Sequence, residues 1–224
     1  MGQAGATDMT AGLPGFGGRV VLVTGFEPFA GASANPSAEV AWRLDGWRAE
    51  DGGARVRSVV LPCVFGLARR ALDEALRLAR PDVVIGLGLA ASRREVSVER
   101  VALNLDDARI PDNAGAQPID RPVIPGAPAA YFSTLPVKAI AAALKAEGIA
   151  ASVSQTAGTF VCNHVFYALM HHIAAEAPAR RGGFIHLPPF EAMPLQVQVQ
   201  AATIAVKTAL AVEADVRAVG GALD

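Results

Sequence analysis

The sequence predicts an α/β fold in which a parallel sheet is covered by helices. Residues 19–26 and 82–87 are continuous aliphatic runs typical of buried strands, and residues 54–61 are a third strand pattern. Two helical patterns, at residues 36–45 and 66–80, lie between these strands. Strands and helices in this alternating order are typical of parallel strands joined by helical crossovers.

The first two helices have identifiable local causes. Asn35 is suited to be the N-cap of the first helix, and Pro36 occupies its first turn, where a missing N–H costs nothing. Residues 66–80 carry leucines and alanines on one face and charged side chains on the other, which predicts an amphipathic helix.

The alternation breaks after residue 87. Residues 95–105 alternate polar and apolar side chains, which predicts a strand or one arm of a hairpin. Residues 106–126 are rich in Asp, Pro and Gly and predict a long loop, of the kind that is usually functional. The later predictions are a helix at 133–147, a strand at 151–156, a helix that begins near Cys162 and ends near 177, a short strand at 183–186 and a last helix at 194–219.

The composition excludes several classes of protein. The chain has 224 residues, 52% of them hydrophobic and 18% charged, with a net charge of −1 and two cysteines. These values argue against disorder, a nucleic-acid partner, an anionic membrane surface and a disulfide framework. No apolar run reaches the roughly 18 residues of a membrane span. We interpret residues 1–18 as a flexible N-terminal extension, residues 19–224 as one domain, and the protein as cytoplasmic.

Cys162 is the first candidate for chemistry. It lies near the predicted start of a helix, where unpaired N–H groups and the helix dipole favour a thiolate. The other thiol, Cys63, follows a strand end and has no nearby His in the sequence, so we interpret it as a small buried apolar residue.

A cysteine nucleophile also needs a base. On a helix, His164 lies on the face opposite Cys162, and His171 and His172 are too far along the axis, so we interpret these three as packing or surface residues. His186 ends a strand. If the Cys162 helix follows a parallel strand, both residues lie at the same edge of the sheet.

The sequence pattern alone does not identify the third group, which would orient the histidine. Glu99, Asp106 and Asp107 are all candidates, and spacing does not choose among them. Residues 86–91 fit the GxGxxA pattern of a dinucleotide-binding loop, but no helix start follows to hold a pyrophosphate, so we reject that interpretation.

Four segments of the chain resemble the pyroglutamyl peptidase I family, also called pyrrolidone-carboxylate peptidases. The segments are TGFEPFAG at residues 24–31, ERVALNLDDARIPDN at 99–113, SQTAGTFVCNHVFY at 154–167 and GGFIHLP at 182–188. Their order and spacing match the family as well, and the resemblance covers roughly residues 19–212.

The resemblance implies a cysteine-type exopeptidase that hydrolyses the bond after an N-terminal pyroglutamyl (5-oxoprolyl) residue of peptides through a thioester acyl-enzyme, without cofactor or metal. In that family pattern Cys162 is the nucleophile, His186 is the base and then the acid, and Glu99 orients the imidazole. The implied fold is a three-layer α/β/α sandwich around a mixed, mostly parallel sheet, akin to the purine nucleoside phosphorylases. Members are often homotetramers, so we expect a homo-oligomer, a tetramer or a dimer.

The resemblance also implies a substrate pocket. Phe26 and Phe29 match aromatics that sandwich the lactam ring, Phe160 and Val161 match positions in the pocket wall, and Arg109 is a weaker candidate to support the oxyanion. The family usually has GQAGGR where this chain has GLAASR at residues 88–93.

Leu89 therefore replaces a Gln that binds the lactam N–H through its backbone carbonyl. Ala91 and Ser92 replace glycines, which bears on the shape of the pocket.

Two other functions are compatible with the sequence. A nucleoside phosphorylase would share the fold, although fold alone does not fix function. A protein that binds pyroglutamyl peptides without turnover would account for the altered residues 89–92.

Overall fold

The computed structural model describes residues 18–221, which form eight strands and five helices. The strands are β1 (Arg19–Phe26), β2 (Ala54–Leu61), β3 (Val83–Leu89), β4 (Val96–Glu99), β5 (Val101–Leu103), β6 (Ala130–Phe132), β7 (Ala151–Ser154) and β8 (Arg181–Leu187). The helices are α1 (Pro36–Leu44), α2 (Leu67–Ala79), α3 (Val137–Ala146), α4 (Val161–Glu176) and α5 (Leu195–Ala211). The expected extension at residues 1–18 lies outside the described residues, apart from Gly18.

Six strands form the central sheet in the order β2-β1-β3-β8-β4-β7. β1 pairs in parallel with β2 and β3, and β3 pairs in parallel with β8. β4 runs antiparallel to β8 and parallel to β7, so β4 and β7 run opposite to the other four strands. The sheet is therefore mixed and mostly parallel, as the resemblance implied. β5 and β6 form a separate antiparallel pair.

Helices cover both faces of the sheet, which confirms the three-layer sandwich. Adjacent residues of β1 point into opposite cores, because side chains alternate along a strand. Val21 packs with residues of α1, α3 and α5, and Leu22 packs with residues of α2 and α4.

The start of α1 agrees with the sequence prediction. The Asn35 side chain accepts a hydrogen bond from the Ser37 N–H at 3.0 Å, which caps the helix. The Ser37 hydroxyl in turn accepts the N–H of Phe26 at 3.0 Å. The end of β1 is thereby fixed against the first turn of α1, and this junction forms one wall of the cavity described below.

Some boundaries differ from the predictions. β3 is two residues longer than predicted at its carboxyl end, because Gly88 and Leu89 continue the strand. The predicted strand at residues 95–105 divides into β4 and β5 on either side of Arg100, since the chain leaves the central sheet there to pair with β6. β6 was not predicted.

The last helix is shorter than predicted, because α5 ends at Ala211. The chain then turns so that the Asp215 carboxylate accepts the N–H groups of Lys138 and Ala139, at 3.0 and 2.9 Å. These two donors lie in the first turn of α3, whose N-cap, Pro136, has no side chain to bind them. Asp215 thus supplies a cap from a distant part of the sequence.

Replacement of Asp215 by Ala should lower the free energy of unfolding by about 1 kcal/mol, the usual effect of losing a helix cap. Urea denaturation monitored by circular dichroism measures the change. The matched control is Glu213→Ala, which removes an exposed acid of the same segment and should leave the midpoint unchanged. Equal midpoints for the two variants would show that Asp215 does not act as a cap.

Candidate active site

A cavity of about 330 Å³ opens where β1, β3 and β8 end and α4 begins. Its wall includes seven of the nine residues that the sequence analysis singled out: Phe26, Phe29, Leu89, Arg109, Phe160, Cys162 and His186. Residues from five separate segments of the chain therefore meet at one edge of the sheet.

Cys162 is the second residue of α4, as predicted. The neighbouring Asn163 fixes this helix start: its amide oxygen accepts the N–H of Leu103, and its NH₂ group donates to the carbonyls of Leu103 and Leu105, all at 2.9 Å. Asn163 is fully buried, so these bonds are shielded from water. The thiol-bearing turn is thereby held against β5.

His186 and Glu99 form a buried pair across two antiparallel strands. The register pairs Ser97 with His186 and Glu99 with Phe184, so Glu99 and His186 are diagonal neighbours on one face of the sheet. His186 Nδ1 lies 2.7 Å from Glu99 Oε1. Glu99 has no exposed surface and His186 has 4%. Because Nδ1 is bound by the carboxylate, Nε2 is the imidazole nitrogen left to act on another group.

Arg93 shares the same carboxylate oxygen. Its Nη1 lies 2.5 Å from Glu99 Oε1, and its Nη2 donates to the carbonyl of Thr156 at 2.9 Å. Glu99 Oε2 has no hydrogen-bond partner among the described residues. Arg93 also lines the cavity.

Cys162 and His186 border the same position of the sheet, Gly88. In the parallel pairing of β3 with β8, Gly88 is opposite His186. A Cβ atom at Gly88 would lie 2.8 Å from Cys162 Sγ and 2.8 Å from the Phe184 ring. Only glycine fits here, because the thiol occupies the space that any side chain would take.

The route by which Cys162 reaches this edge differs from the prediction. The sequence argument required that the strand before the helix run parallel to β8, and this premise is wrong, since β7 runs antiparallel to β8. β7 ends at Ser154, which pairs with Glu99 of β4, and Glu99 in turn pairs with Phe184 in the middle of β8. β7 therefore stops halfway along β8. Residues 155–160 then lead the chain to the start of α4 beside Gly88.

The environment of Cys162 favours the neutral thiol in the absence of substrate. Burial raises the pKa of the thiol, and the nearby Cys63 and Glu99 add to the rise. The Arg93 guanidinium and the backbone N–H of Cys162 lower this pKa by a smaller amount. The effect of burial on this pKa is therefore larger than the effect of the helix start that favours a thiolate. Deprotonation requires a base, and His186 is the imidazole in the same cavity.

Aromatic rings form the apolar part of the cavity. The centroids of Phe29 and Phe160 are 6.0 Å apart, and Phe65 meets Phe160 edge-on at 5.4 Å. Phe26 also lines the cavity while only 1% exposed. Val161, by contrast, is fully buried in the core between α4 and the sheet and does not line the cavity, because its side chain points into the protein from the first turn.

Two of the three residues that depart from the family pattern line the cavity. Leu89 and Ser92 line the cavity, whereas Ala91 is exposed and does not. Neither Ala91 nor Ser92 has a positive φ, so neither position requires glycine for its backbone conformation. Arg109 lines the cavity with an exposed side chain, and no hydrogen bond or ion pair joins it to the rest of residues 18–221.

The other histidines lie elsewhere, as predicted. His164 is buried and its Nδ1 is 2.9 Å from Asp106 Oδ2, while its Nε2 accepts the N–H of Gly66 at 3.2 Å. His171 Nδ1 lies 3.0 Å from the Tyr131 hydroxyl. His172 Nε2 lies 2.8 Å from the guanidinium of Arg180. Asp106, an alternative to Glu99 in the sequence analysis, is therefore engaged by a different histidine.

Six residues of the cavity were not assigned to it by sequence reasoning, and two of these, Cys63 and Arg93, carry a thiol or a charge. Cys63 was interpreted as a core residue; it is buried, but it also lines the cavity, and burial together with the charges of Glu27 and Asp112 raises the pKa of its thiol to about 12. Arg93 received no role, although it is the one residue of GLAASR after Ala90 that keeps the family's side chain. That retention was the signal that could have identified it.

Within residues 18–221, no three His, Cys, Asp or Glu side chains are grouped so that they could hold a metal ion. No helix in the same range combines the length and apolar character needed to cross a membrane.

Comparison with known proteins gives concordant matches. The family model described as pyroglutamyl peptidase matches residues 19–224. The pyrrolidone-carboxylate peptidase of Escherichia fergusonii is 51% identical, covering 91% of this chain and 99% of that protein. Pyrrolidone-carboxylate peptidase 1 of Ralstonia nicotianae is 53% identical, covering 91% and 98%.

Solved structures agree with these sequence matches. The crystal structure of pyroglutamyl peptidase I from Bacillus amyloliquefaciens superposes with a TM-score of 0.85 at 44% identity, covering 90% of this chain and 99% of that one. A mutant pyrrolidone carboxyl peptidase from Pyrococcus furiosus gives a TM-score of 0.83 at 42% identity, covering 86% and 98%.

Replacement of Gly88 by Ala should displace the thiol, because the new Cβ would lie 2.8 Å from Cys162 Sγ. A misplacement of this size costs on the order of 10²-fold in rate for a group that takes part in the reaction. Gly221→Ala is the matched control, since a Cβ there meets nothing within 4 Å. Equal alkylation rates of Cys162 in the two variants and the unmodified protein would contradict the placement of the thiol against Gly88.

Alkylation of Cys162 by iodoacetamide should rise steadily with pH through the neutral range. The raised pKa of the thiol leaves little thiolate at neutral pH, and each increase in pH enlarges that fraction. Mass spectrometry of the labelled peptide at a series of pH values, with Cys63 as the internal comparison, measures the rate at each thiol. A rate that is already at its maximum on the acid side of neutrality would show a preformed thiolate instead.

Proposed function

Because the chain belongs to the pyroglutamyl peptidase family, we propose that it is a cysteine exopeptidase that releases the N-terminal pyroglutamyl residue from peptides. The observation that carries the proposal is that Cys162 and His186 line one cavity while the buried Glu99 binds the imidazole of His186. This set supplies a nucleophile, a base and a group that orients the base.

The cavity suits a small, flat, uncharged ring. Its volume of about 330 Å³ holds a lactam with room for the peptide bond that follows. Phe26, Phe29 and Phe160 offer apolar faces to the ring. The backbone carbonyl of Leu89, at the end of β3, would accept the lactam N–H, as the family pattern implies. An aliphatic side chain at this position does not remove that acceptor.

The cationic side chains of the cavity support the same substrate class. Arg93 and Arg109 both line it, no Asp or Glu of residues 18–221 does, and Glu99 is buried where it binds His186 and Arg93. An ordinary N-terminal residue carries an ammonium group, which these guanidinium groups would repel. A pyroglutamyl residue has a neutral lactam instead, so it avoids this penalty.

The reaction begins with proton transfer from Cys162 Sγ to His186 Nε2. The resulting thiolate adds to the pyroglutamyl carbonyl and forms a C–S bond, while the carbonyl oxygen becomes an oxyanion. The N–H of Cys162, in the first turn of α4, has no acceptor within the helix and is placed to stabilise that charge. Arg109 is a second candidate donor, because its guanidinium lines the cavity.

Collapse of the intermediate completes acyl transfer. His186 returns its proton to the leaving nitrogen, the C–N bond breaks, and the shortened peptide leaves with a free amino group. A water molecule, deprotonated by the same imidazole, then attacks the thioester and releases pyroglutamate and the thiol. Glu99 holds Nδ1 throughout, so that Nε2 stays directed at the reacting atoms.

The wider biological context belongs to the proposal as well. We place the enzyme in the cytoplasm as a homo-oligomer, a tetramer or a dimer, with residues 19–224 as one peptidase domain. Its net charge of −1 supports peptides rather than nucleic acid or an anionic membrane as partners.

The protein should release the dye from a pyroglutamyl fluorogenic amide under reducing conditions. Cys162→Ala should lose this activity, by on the order of 10⁴-fold or more, because it removes the nucleophile of the triad. Cys63→Ser is the matched control: it changes the second thiol of the cavity, so KM should change while turnover persists.

Two outcomes would refute the proposed function. One is the absence of turnover by the unmodified, reduced protein. The other is full turnover by Cys162→Ala. Phosphorolysis of a nucleoside that is insensitive to thiol alkylation would instead favour the phosphorylase alternative.

A further inference from the structure

Arg93 connects two parts of the site that are far apart in sequence. It lies in the loop between β3 and β4, and its side chain is 27% exposed. One end of its guanidinium binds Glu99, and the other binds the carbonyl of Thr156, which also accepts the hydroxyl of Ser154 at 3.0 Å. Thr156 belongs to the segment that leads to Cys162. Arg93 thus joins the carboxylate of the base to the segment that carries the nucleophile.

The bond to Glu99 affects the charge of the histidine. Glu99 Oε1 receives both His186 and Arg93, and Oε2 has no partner within residues 18–221. The charge of a buried carboxylate with a histidine as its one partner stabilises a positive charge on that partner, because an unpaired buried charge is costly. Arg93 already compensates that charge, so a neutral imidazole beside Glu99 leaves the carboxylate paired.

The charged and titratable groups around His186 come from every element packed against it. They are Glu99 on β4, Arg93 in the loop before it, Cys162 on α4, Cys63 after β2 and Arg109 in the long loop. Both thiols have raised pKa values, so the cations are Arg93 and Arg109. Glu99 is the anion bound to His186, while Glu27 and Asp112 lie beside Cys63. Of these two cations, Arg93 is the one in contact with the Glu99 carboxylate.

We propose that Arg93 is a positioning residue of the peptidase: it keeps His186 in the neutral, proton-accepting form and holds residues 155–160 in the place that presents Cys162. The inference rests on the proposed function and deepens it. Loss of the positive charge should allow Glu99 to retain a proton on His186 to higher pH. Loss of the hydrogen bond to the Thr156 carbonyl should make residues 155–160 more mobile, so that Cys162 is positioned less precisely.

Two substitutions separate these effects, with Arg94→Gln as the matched control. Arg94 is the adjacent arginine, is exposed, and does not line the cavity. Arg93→Gln removes the charge. It should move the acid limb of the kcat/KM profile to higher pH by roughly one unit and lower kcat/KM at neutral pH by on the order of 10²-fold.

Arg93→Lys keeps the charge but cannot form both bonds. It should leave the acid limb in place while lowering kcat, and Arg94→Gln should match the unmodified protein in both respects. An acid limb for Arg93→Gln that coincides with the one for Arg94→Gln would overturn the inference. Should Arg93→Gln not fold, as judged by thermal melting, Arg93→Met is the second neutral variant for the same comparison.

A substrate-free measurement separates this inference from the proposed function. The alkylation rate of Cys162 by iodoacetamide, followed by mass spectrometry, depends on the base and on the local charge but not on peptide hydrolysis. It should fall in Arg93→Gln relative to Arg94→Gln at each neutral pH. If the unmodified protein cleaves no pyroglutamyl amide, the proposed function fails, and this rate still tests Arg93. If it cleaves the amide and the two variants alkylate alike, the role of Arg93 fails alone.

Discussion

The carboxylate of Glu99, with no exposed surface, is the group on which the site depends. Removal of one partner from a buried charged pair costs about 3–5 kcal/mol, far more than a surface ion pair contributes. Glu99 is tolerated because His186 and Arg93 both bind one of its oxygens. The free-energy cost of burying this charge is therefore offset by two partners: the imidazole that acts as base and a guanidinium at the edge of the cavity.

The reversal of β4 and β7 within an otherwise parallel sheet makes that arrangement possible. In a fully parallel sheet, the strand beside β8 would present its carboxyl end at the same edge as His186. Because β4 is antiparallel and only four residues long, its final residue, Glu99, reaches the interior beside Phe184 instead. The charge is consequently buried beneath the histidine rather than exposed at the mouth. The same reversal lets the chain after β7 return over the sheet edge to start α4.

The sequence predicted the elements of the fold well, since their causes are local. β1 and β2 have the predicted bounds, and Asn35 caps α1 as its position indicated. The direction of β4 could not be predicted from local sequence, because it depends on pairing with β8, which lies more than 80 positions further along the chain. The end of α5 was missed for the same reason, because Asp215 leaves the helix to bind the distant start of α3.

The site divides in the same way between local and distant causes. Helix spacing located Cys162 and excluded the three histidines of α4, since both follow from the geometry of one helix. The raised pKa of the thiol could not be anticipated, because burial is a property of the assembled site. The choice of Glu99 over Asp106 was equally out of reach of spacing. In the structure each carboxylate binds its own histidine, and that pairing depends on contacts between distant segments.

A raised thiol pKa and a compensated carboxylate together determine how the nucleophile is generated. Because burial raises the pKa of the Cys162 thiol and Arg93 already pairs with Glu99, the site disfavours a thiolate before substrate binds. Proton transfer to His186 then creates two opposite charges at the moment when the substrate carbonyl accepts the thiolate's electrons. Charge separation is thereby coupled to bond formation, where the N–H groups at the start of α4 can stabilise the oxyanion. The neutral lactam fits this scheme, because an ammonium group in the cavity would favour the thiolate before the carbonyl was in place.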